Sequence, residues 1–139
     1  MKIGKINCKI VIDANLIIGG YWNRESDSWH IVEGCMSRKW YHYYTNEIKE
    51  EVFRILGNIH ARSSFVDIIE GLYDKGTKVN VVQHFTTVKD DPDDDKYLDC
   101  AFASSADFII TNDNHLLKVK RFLGTRIMKP VEFVRRQGT

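Results

Sequence analysis

At 139 residues and 16.2 kDa, with 43% hydrophobic residues, the chain has the size and composition expected of one globular domain spanning 1–139. Twenty basic residues face nineteen acidic ones, a formal charge of +1, so bulk charge does not mark a general polyanion binder. Three widely spaced cysteines (Cys8, Cys35, Cys100) with no CxxC pair argue against a disulfide framework or a zinc knuckle, and the absence of a signal-peptide core or a membrane-length apolar run leads us to expect a cytoplasmic protein with no membrane partner.

In chain order, the pattern predicts a strand over 8–13 and helices over 26–37, 46–58 and 63–74. A strand follows over 79–83, a helix over 94–104, a strand over 108–111 and a short helix over 114–119. A strand over 126–128 and a helix over 130–136 complete the series. Ile48, Val52, Ile55 and Ile59 recur at helical spacing, as do Phe65, Ile68, Ile69 and Leu72. Gly71 and Gly76 bracket the expected turn into the strand at 79, and Gly19-Gly20 reads as a loop. The strands are short and mainly apolar without alternation, as in sheets covered on both faces. Their alternation with helices points to βαβ units and a parallel sheet.

Charge is distributed unevenly. Residues 90–99 hold six acids (Asp90, Asp91, Asp93, Asp94, Asp95, Asp99) against one base, Lys96. Residues 118–136 hold seven bases (Lys118, Lys120, Arg121, Arg126, Lys129, Arg135, Arg136) against Glu132. An acidic centre beside a basic flank suits a metal site that accepts a polyanion; a solvated surface is the plainer alternative.

Four carboxylates stand out. Asp13 ends the apolar run Ile10-Val11-Ile12, and Asp113 follows Phe108-Ile109-Ile110-Thr111. In open parallel sheets ligands bind beyond the carboxyl ends of strands. Glu51 lies three residues after Ile48 and four before Ile55, on the buried edge of its helix, whereas Glu47 and Glu50 align with Arg54 on the wet face. Asp94 lies four residues before Leu98 on an apolar stripe, although the run Asp93-Asp94-Asp95 permits a one-residue slip. Clustered acids without a cation would repel one another. An oxygen-only ligand set favours Mg²⁺ or Mn²⁺ over zinc. The histidines lack ligand spacing such as HExxH; His115 lies close enough to Asp113 for a place near the site mouth, with a surface position the plainer reading. There is no GxSxG, GxGxxG or P-loop.

Four segments, Val11 to Leu16, Thr45 to Leu56, Asp91 to Ala101 and Ala106 to Leu117, resemble in residues and order the PIN-domain family of nucleases, and in particular its prokaryotic toxin components of toxin–antitoxin pairs. The resemblance implies a three-layer α/β/α sandwich with a central, mainly parallel sheet. It also implies a Mg²⁺- or Mn²⁺-dependent ribonuclease that cleaves single-stranded RNA. By position, the family's catalytic and metal-binding acids fall on Asp13, Glu51, Asp94 and Asp113. Asn15 and Thr111 fall on polar positions beside the metal, where their hydrogen bonds would orient the carboxylates. Lys118, Lys120 and Arg121 are then candidates to hold the RNA backbone, and Tyr21, Trp22, Trp29, Trp40 and Tyr41 to stack on bases or pack in a core. The same resemblance implies a small antitoxin protein as partner and a homodimer with residues 26–59 at its interface. Two alternatives stay open. One is a catalytically weak RNA- or partner-binding module of the same fold. The other is an Asp-based phosphatase, against which Asn15 counts, since such enzymes carry a second Asp two residues after the first.

Overall fold

The computed structural model describes residues 8–88 and 92–137, so Asp90 and Asp91 of the acidic run lie outside the described residues. The elements are β1 (Lys9–Ile12), α1 (Ala14–Gly19), α2 (Asp27–Met36), β2 (Tyr41–Tyr44), α3 (Asn46–Asn58), α4 (Ser63–Lys75) and β3 (Thr77–Lys78). After them come a 3₁₀ turn (Pro92–Asp94), α5 (Asp95–Ser104), β4 (Phe108–Ile110), α6 (Asn114–Leu117), β5 (Arg121–Phe122), β6 (Thr125–Met128) and α7 (Pro130–Arg136). Two of the long helices begin where their capping residues stand. The Ser26 hydroxyl accepts from Trp29 N–H and the Thr45 hydroxyl from Ile48 N–H.

The sheet runs β3-β2-β1-β4-β6-β5, parallel throughout except for the β5–β6 hairpin. The chain steps outward from β1 through β2 to β3 and then returns to lay β4 against β1, with Ile10, Val11 and Ile12 opposite Phe108, Ile109 and Ile110. Alternate residues of these strands enter two cores. Ile10, Ile12, Phe108 and Ile110 pack with residues of α1, α2, α4 and α7, among them Ile17, Trp29, Ile69 and Phe133. Val11 and Ile109 face the opposite way, toward Leu98 and Ala101 of α5 and Leu116 of α6. The result is three layers, α/β/α. Burying each of these Val, Leu or Ile side chains contributes about 1.5–3 kcal/mol.

This topology makes a crevice. The connection leaving β1 enters α1 on one face, and the connection leaving β4 enters α6 on the other. The carboxyl ends of β1 and β4 are therefore the switch point at which ligands bind in open α/β sheets.

Three short elements escape sequence reading: α1, β2 and β5. The six-residue α1 has little room to show a period, and the aromatic run Tyr41-His42-Tyr43-Tyr44 makes a strand of residues that favour a pleated, half-buried surface. The strand expected over 79–83 does not form. Pairing ends at Lys78, apart from one hydrogen bond from Val79 N–H to Tyr44 O, and Val82 is 81% exposed. The segment leaves the sheet edge because α5 captures it. Asp99 accepts from Phe85 N–H and contacts His84 Nδ1, and Asp95 accepts from the N–H groups of Thr87 and Val88. Gly71 lies inside α4, so Gly76 alone marks the turn.

Two glycines are required by space. A Cβ on Gly20 would run into the Trp29 ring, and one on Gly34 into the Trp40 ring, both rings being buried. Gly34→Ala is accordingly expected to lose about 1–3 kcal/mol, read as a lower midpoint in urea unfolding.

His42, at the centre of β2, is buried between Tyr44 and Tyr73, and neither ring nitrogen has a hydrogen-bond partner among the described residues. Burial pushes its pKa down from the usual 6.5 to about 4. Between pH 4 and 6.5 the unfolded chain binds the proton and the folded one does not, so stability rises with pH across that window. The depression corresponds to about 3 kcal/mol at 1.36 kcal/mol per pH unit. His42→Phe is expected to remove this part of the acid limb and to raise stability at pH 7, since it deletes buried nitrogens without partners. Urea unfolding from pH 4 to 8 checks both effects, and an unchanged acid slope in the variant would refute the assignment.

Candidate metal centre

The crevice gathers all four acids singled out in the sequence, in two connected pairs. Asp13 caps the N-terminus of α1, its Oδ1 accepting from Asn15 N–H at 3.0 Å. Its other oxygen, Oδ2, accepts from the Thr111 hydroxyl at 2.6 Å. Thr111 is fully buried, and its Oγ1 in turn accepts from Asp113 N–H at 2.9 Å, so a single hydroxyl joins the ends of β1 and β4. Asn15 contributes only its backbone N–H to this cluster, and the residue is exposed.

Glu51 reaches the site from α3, as its helical phase predicts. Its Oε1 lies 3.2 Å from the Tyr97 hydroxyl and 3.0 Å from Lys96 Nζ. The Tyr97 hydroxyl accepts from Ala14 N–H at 3.0 Å and lies 3.4 Å from Asp13 Oδ1. A phenol has one proton, so this hydroxyl donates to one of the two carboxylates at a time. Burial, together with the nearby Asp13 and Glu51 charges, raises the Tyr97 pKa far above the ordinary tyrosine range and keeps it a neutral donor. Lys96 is 6% exposed and also holds Asp93 Oδ2 at 2.8 Å. Burial disfavours its charge, but hydrogen bonds to Asp93 and Glu51 outweigh this, and its pKa rises.

Asp94 and Asp113 form the second pair. Together with His115 they present one ligand atom each within 4.8 Å of one another. His115 Nδ1 lies 3.7 Å from Asp113 Oδ1, and the same Asp113 oxygen accepts from His115 N–H at 2.7 Å. Burial raises the Asp113 pKa, yet hydrogen bonds from the Asp94 carboxyl and from the N–H groups of His115 and Leu116 prevail and lower it. A hydrogen bond between two carboxyl groups requires a proton between them; a divalent cation held by the two residues would supply positive charge in its place. Two carboxylates and an imidazole converging in this way fit such a cation. Asp13 stays above the ordinary carboxylate range. Burial is the largest cause, partly offset by Thr111 and Asn15 and reinforced by Asp113 and Glu51.

The acids flanking Asp94 have other duties. Asp95 and Asp99 are buried beneath the 84–88 segment and hold its backbone, while the Asp93 side chain is 69% exposed and pairs with Lys96. His115, for which the sequence left a place near the site mouth beside the plainer surface reading, stands next to the Asp94–Asp113 pair. Tyr97 and Lys96 carry no sequence signal that places them there. Among the aromatics considered for stacking, Trp29 and Trp40 are core residues with 2% exposure, Tyr21 and Tyr41 are half-buried, and Trp22 alone is exposed.

A scan against protein-family models matches residues 9–115 to the PIN domain. The chain belongs to the PIN-domain family. PIN domains are a nuclease family and generally bind divalent metals, which agrees with the acidic group at the β4 end. No curated protein matches the chain. Among solved structures it is similar to PAE2754 from Pyrobaculum aerophilum, with a TM-score of 0.56 and 12% identity over 94% of this chain and 90% of that one. At that identity the likeness speaks for the PIN fold alone. No helix among the described residues is long and apolar enough to cross a membrane.

Proposed function

We propose that this PIN domain is a divalent-metal-dependent endoribonuclease acting on single-stranded RNA, with Asp13, Glu51, Asp94 and Asp113 as its working acids. The observation that carries the reading is the convergence of Asp94, Asp113 and His115 at the carboxyl end of β4, tied through Thr111 and Tyr97 to Asp13 and Glu51. Asp94, Asp113 and His115 would hold the cation. When bound, it would lower the pKa of coordinated water and stabilise charge developing on the phosphate. The imidazole makes the donor set mixed rather than oxygen-only, which favours Mn²⁺ over Mg²⁺.

The protein's own groups supply orientation and charge. Thr111 and Asn15 fix the Asp13 carboxylate in one rotamer. Lys96 and Tyr97 occupy Glu51 Oε1, leaving Oε2 to accept from a water beside the phosphate. The basic flank provides the substrate path. Lys120, Arg126 and Lys129 line a groove with Asn114, the residue between Asp113 and His115. Lys118 and Arg121 are exposed beside it. Such cations hold a phosphodiester backbone without reading bases and make binding weaken as salt rises.

The protein acts as the toxin of a toxin–antitoxin pair in this reading, as a cytoplasmic homodimer with residues 26–59 at the interface and a small antitoxin protein as partner. The test is cleavage of a labelled single-stranded RNA with Mn²⁺, with Mg²⁺ and with EDTA. Cleavage with either ion and none in EDTA is expected. Undiminished cleavage in EDTA would overturn the metal-dependent reading, and salt-sensitive RNA binding without cleavage in Mn²⁺ would make the protein a binding module.

A further inference from the structure

Lysine is almost never buried unless its charge is used. Lys96 is buried, and its ammonium sits between two elements that the sequence places far apart, with Glu51 of α3 on one side and Asp93 of the 3₁₀ turn on the other. It donates to Glu51 Oε1 at 3.0 Å, to Asp93 Oδ2 at 2.8 Å and to Asp93 O at 3.1 Å. Stripping water from an ammonium is expensive, and three acceptors offset the cost.

We infer that Lys96 is a positioning residue that stands where a second cation would, so that the site takes up one divalent ion and not two. The inference rests on the metal-dependent reading above. Two-metal hydrolases set their ions about 3.5–4 Å apart and share carboxylates between them. Here the acids divide. Asp94 and Asp113 offer oxygens at ligand spacing with His115, and among the described residues neither Asp13 nor Glu51 belongs to that group. Three of their four carboxylate oxygens already have a donor: Lys96 Nζ on Glu51 Oε1, Asn15 N–H on Asp13 Oδ1 and the Thr111 hydroxyl on Asp13 Oδ2, with the single Tyr97 proton shared between Glu51 Oε1 and Asp13 Oδ1. Lys96 thus supplies positive charge at the Glu51 side of the crevice permanently, and Tyr97 holds Glu51 and Asp13 at a fixed separation.

The experiment is an equilibrium titration of the purified chain with Mn²⁺, followed by the EPR signal of the free ion. Wild type is expected to bind one ion per chain. Two ions would overturn the role of Lys96 while leaving the nuclease reading intact, and none would overturn both. Lys96→Met, with the ammonium gone and Glu51 exposed to a cation, is expected to bind a second ion more weakly than the first. A folded Lys96→Met that still binds one ion would overturn the inference. Lys96→Arg keeps the positive charge and is expected to keep one ion; two ions there would also overturn it, whether or not Lys96→Met folds. A purely structural lysine would change the melting temperature in these variants and leave the stoichiometry at one.

Discussion

Asp113→Asn is expected to lower Mn²⁺-dependent RNA cleavage by on the order of 10³-fold while leaving the metal-free protein at least as stable as wild type. That loss corresponds to about 4 kcal/mol of barrier at 1.36 kcal/mol per decade. Asp113 sits at the β4 end with its carboxylate against Asp94 and His115, so the amide removes charge where a cation would be held. The fold has less to lose. An asparagine keeps the oxygen that caps His115 N–H, and its amide can donate to Asp94 in place of the proton that two carboxyl groups would have to share. Mn²⁺ at 100 times its Kd stabilises a protein that binds it only when folded by about 2.7 kcal/mol, and this gain is expected to vanish in the variant. Asp95→Ala is the contrasting substitution. Asp95 accepts the backbone N–H groups of Thr87 and Val88, so its change is expected to cost about 1–3 kcal/mol of stability and to leave Mn²⁺ stabilisation in place. Thermal melts with and without Mn²⁺, beside single-turnover cleavage, separate the two. An Asp113→Asn protein that cleaves like wild type would remove the site from the β4 end.

The layer order and the four acids were legible in the sequence for a physical reason. Parallel strands covered on both faces read as apolar runs, and a carboxylate at the end of such a run, or on the buried edge of an amphipathic helix, violates the pattern around it. Asp13, Asp113 and Glu51 are such violations. The groups that organise those acids violate nothing. Tyr97 belongs to the apolar stripe of α5 and is in fact 2% exposed, yet its hydroxyl extends past the core to Glu51 and Asp13. Lys96 reads as the lone base of an acidic run, and its partner Glu51 is set beside it only by the packing of α3 on α5. Asp95 and Asp99 show the reverse. They carry the same local signature as Asp94, but their partners are backbone N–H groups of an irregular segment whose course no periodicity reveals. The segment at 79–83 failed as a strand for the same reason: its local preference is β, and tertiary hydrogen bonds to α5 draw it off the sheet edge.

Glu51→Gln is expected to cost at least on the order of 10²-fold in cleavage rate, about 2.7 kcal/mol, whereas Gln at 47 or 50 should change it little. All three glutamates share the first half of α3, within a stretch of about one helical turn, so composition and helix propensity cannot distinguish them. Phase does. Ile48 and Val52 of α3 are fully buried, and the side chain of Glu51 projects along the same buried edge to within 3.0 Å of Lys96 Nζ and 3.2 Å of the Tyr97 hydroxyl. Glu47 is exposed, and Glu50 on the wet face accepts through Oε2 from the Asn46 side chain. An exposed polar pair of that kind contributes a few tenths of a kcal/mol. The amide introduced at position 51 would retain an oxygen for Lys96 and Tyr97, so the fold should persist while the charge facing the substrate is lost. The measurement is the cleavage rate at saturating Mn²⁺ for the three single variants, each checked by circular dichroism. An inactive Glu50→Gln beside an active Glu51→Gln would mean that α3 presents its other face to the crevice, and the roles given to Lys96 and Tyr97 would fall with it.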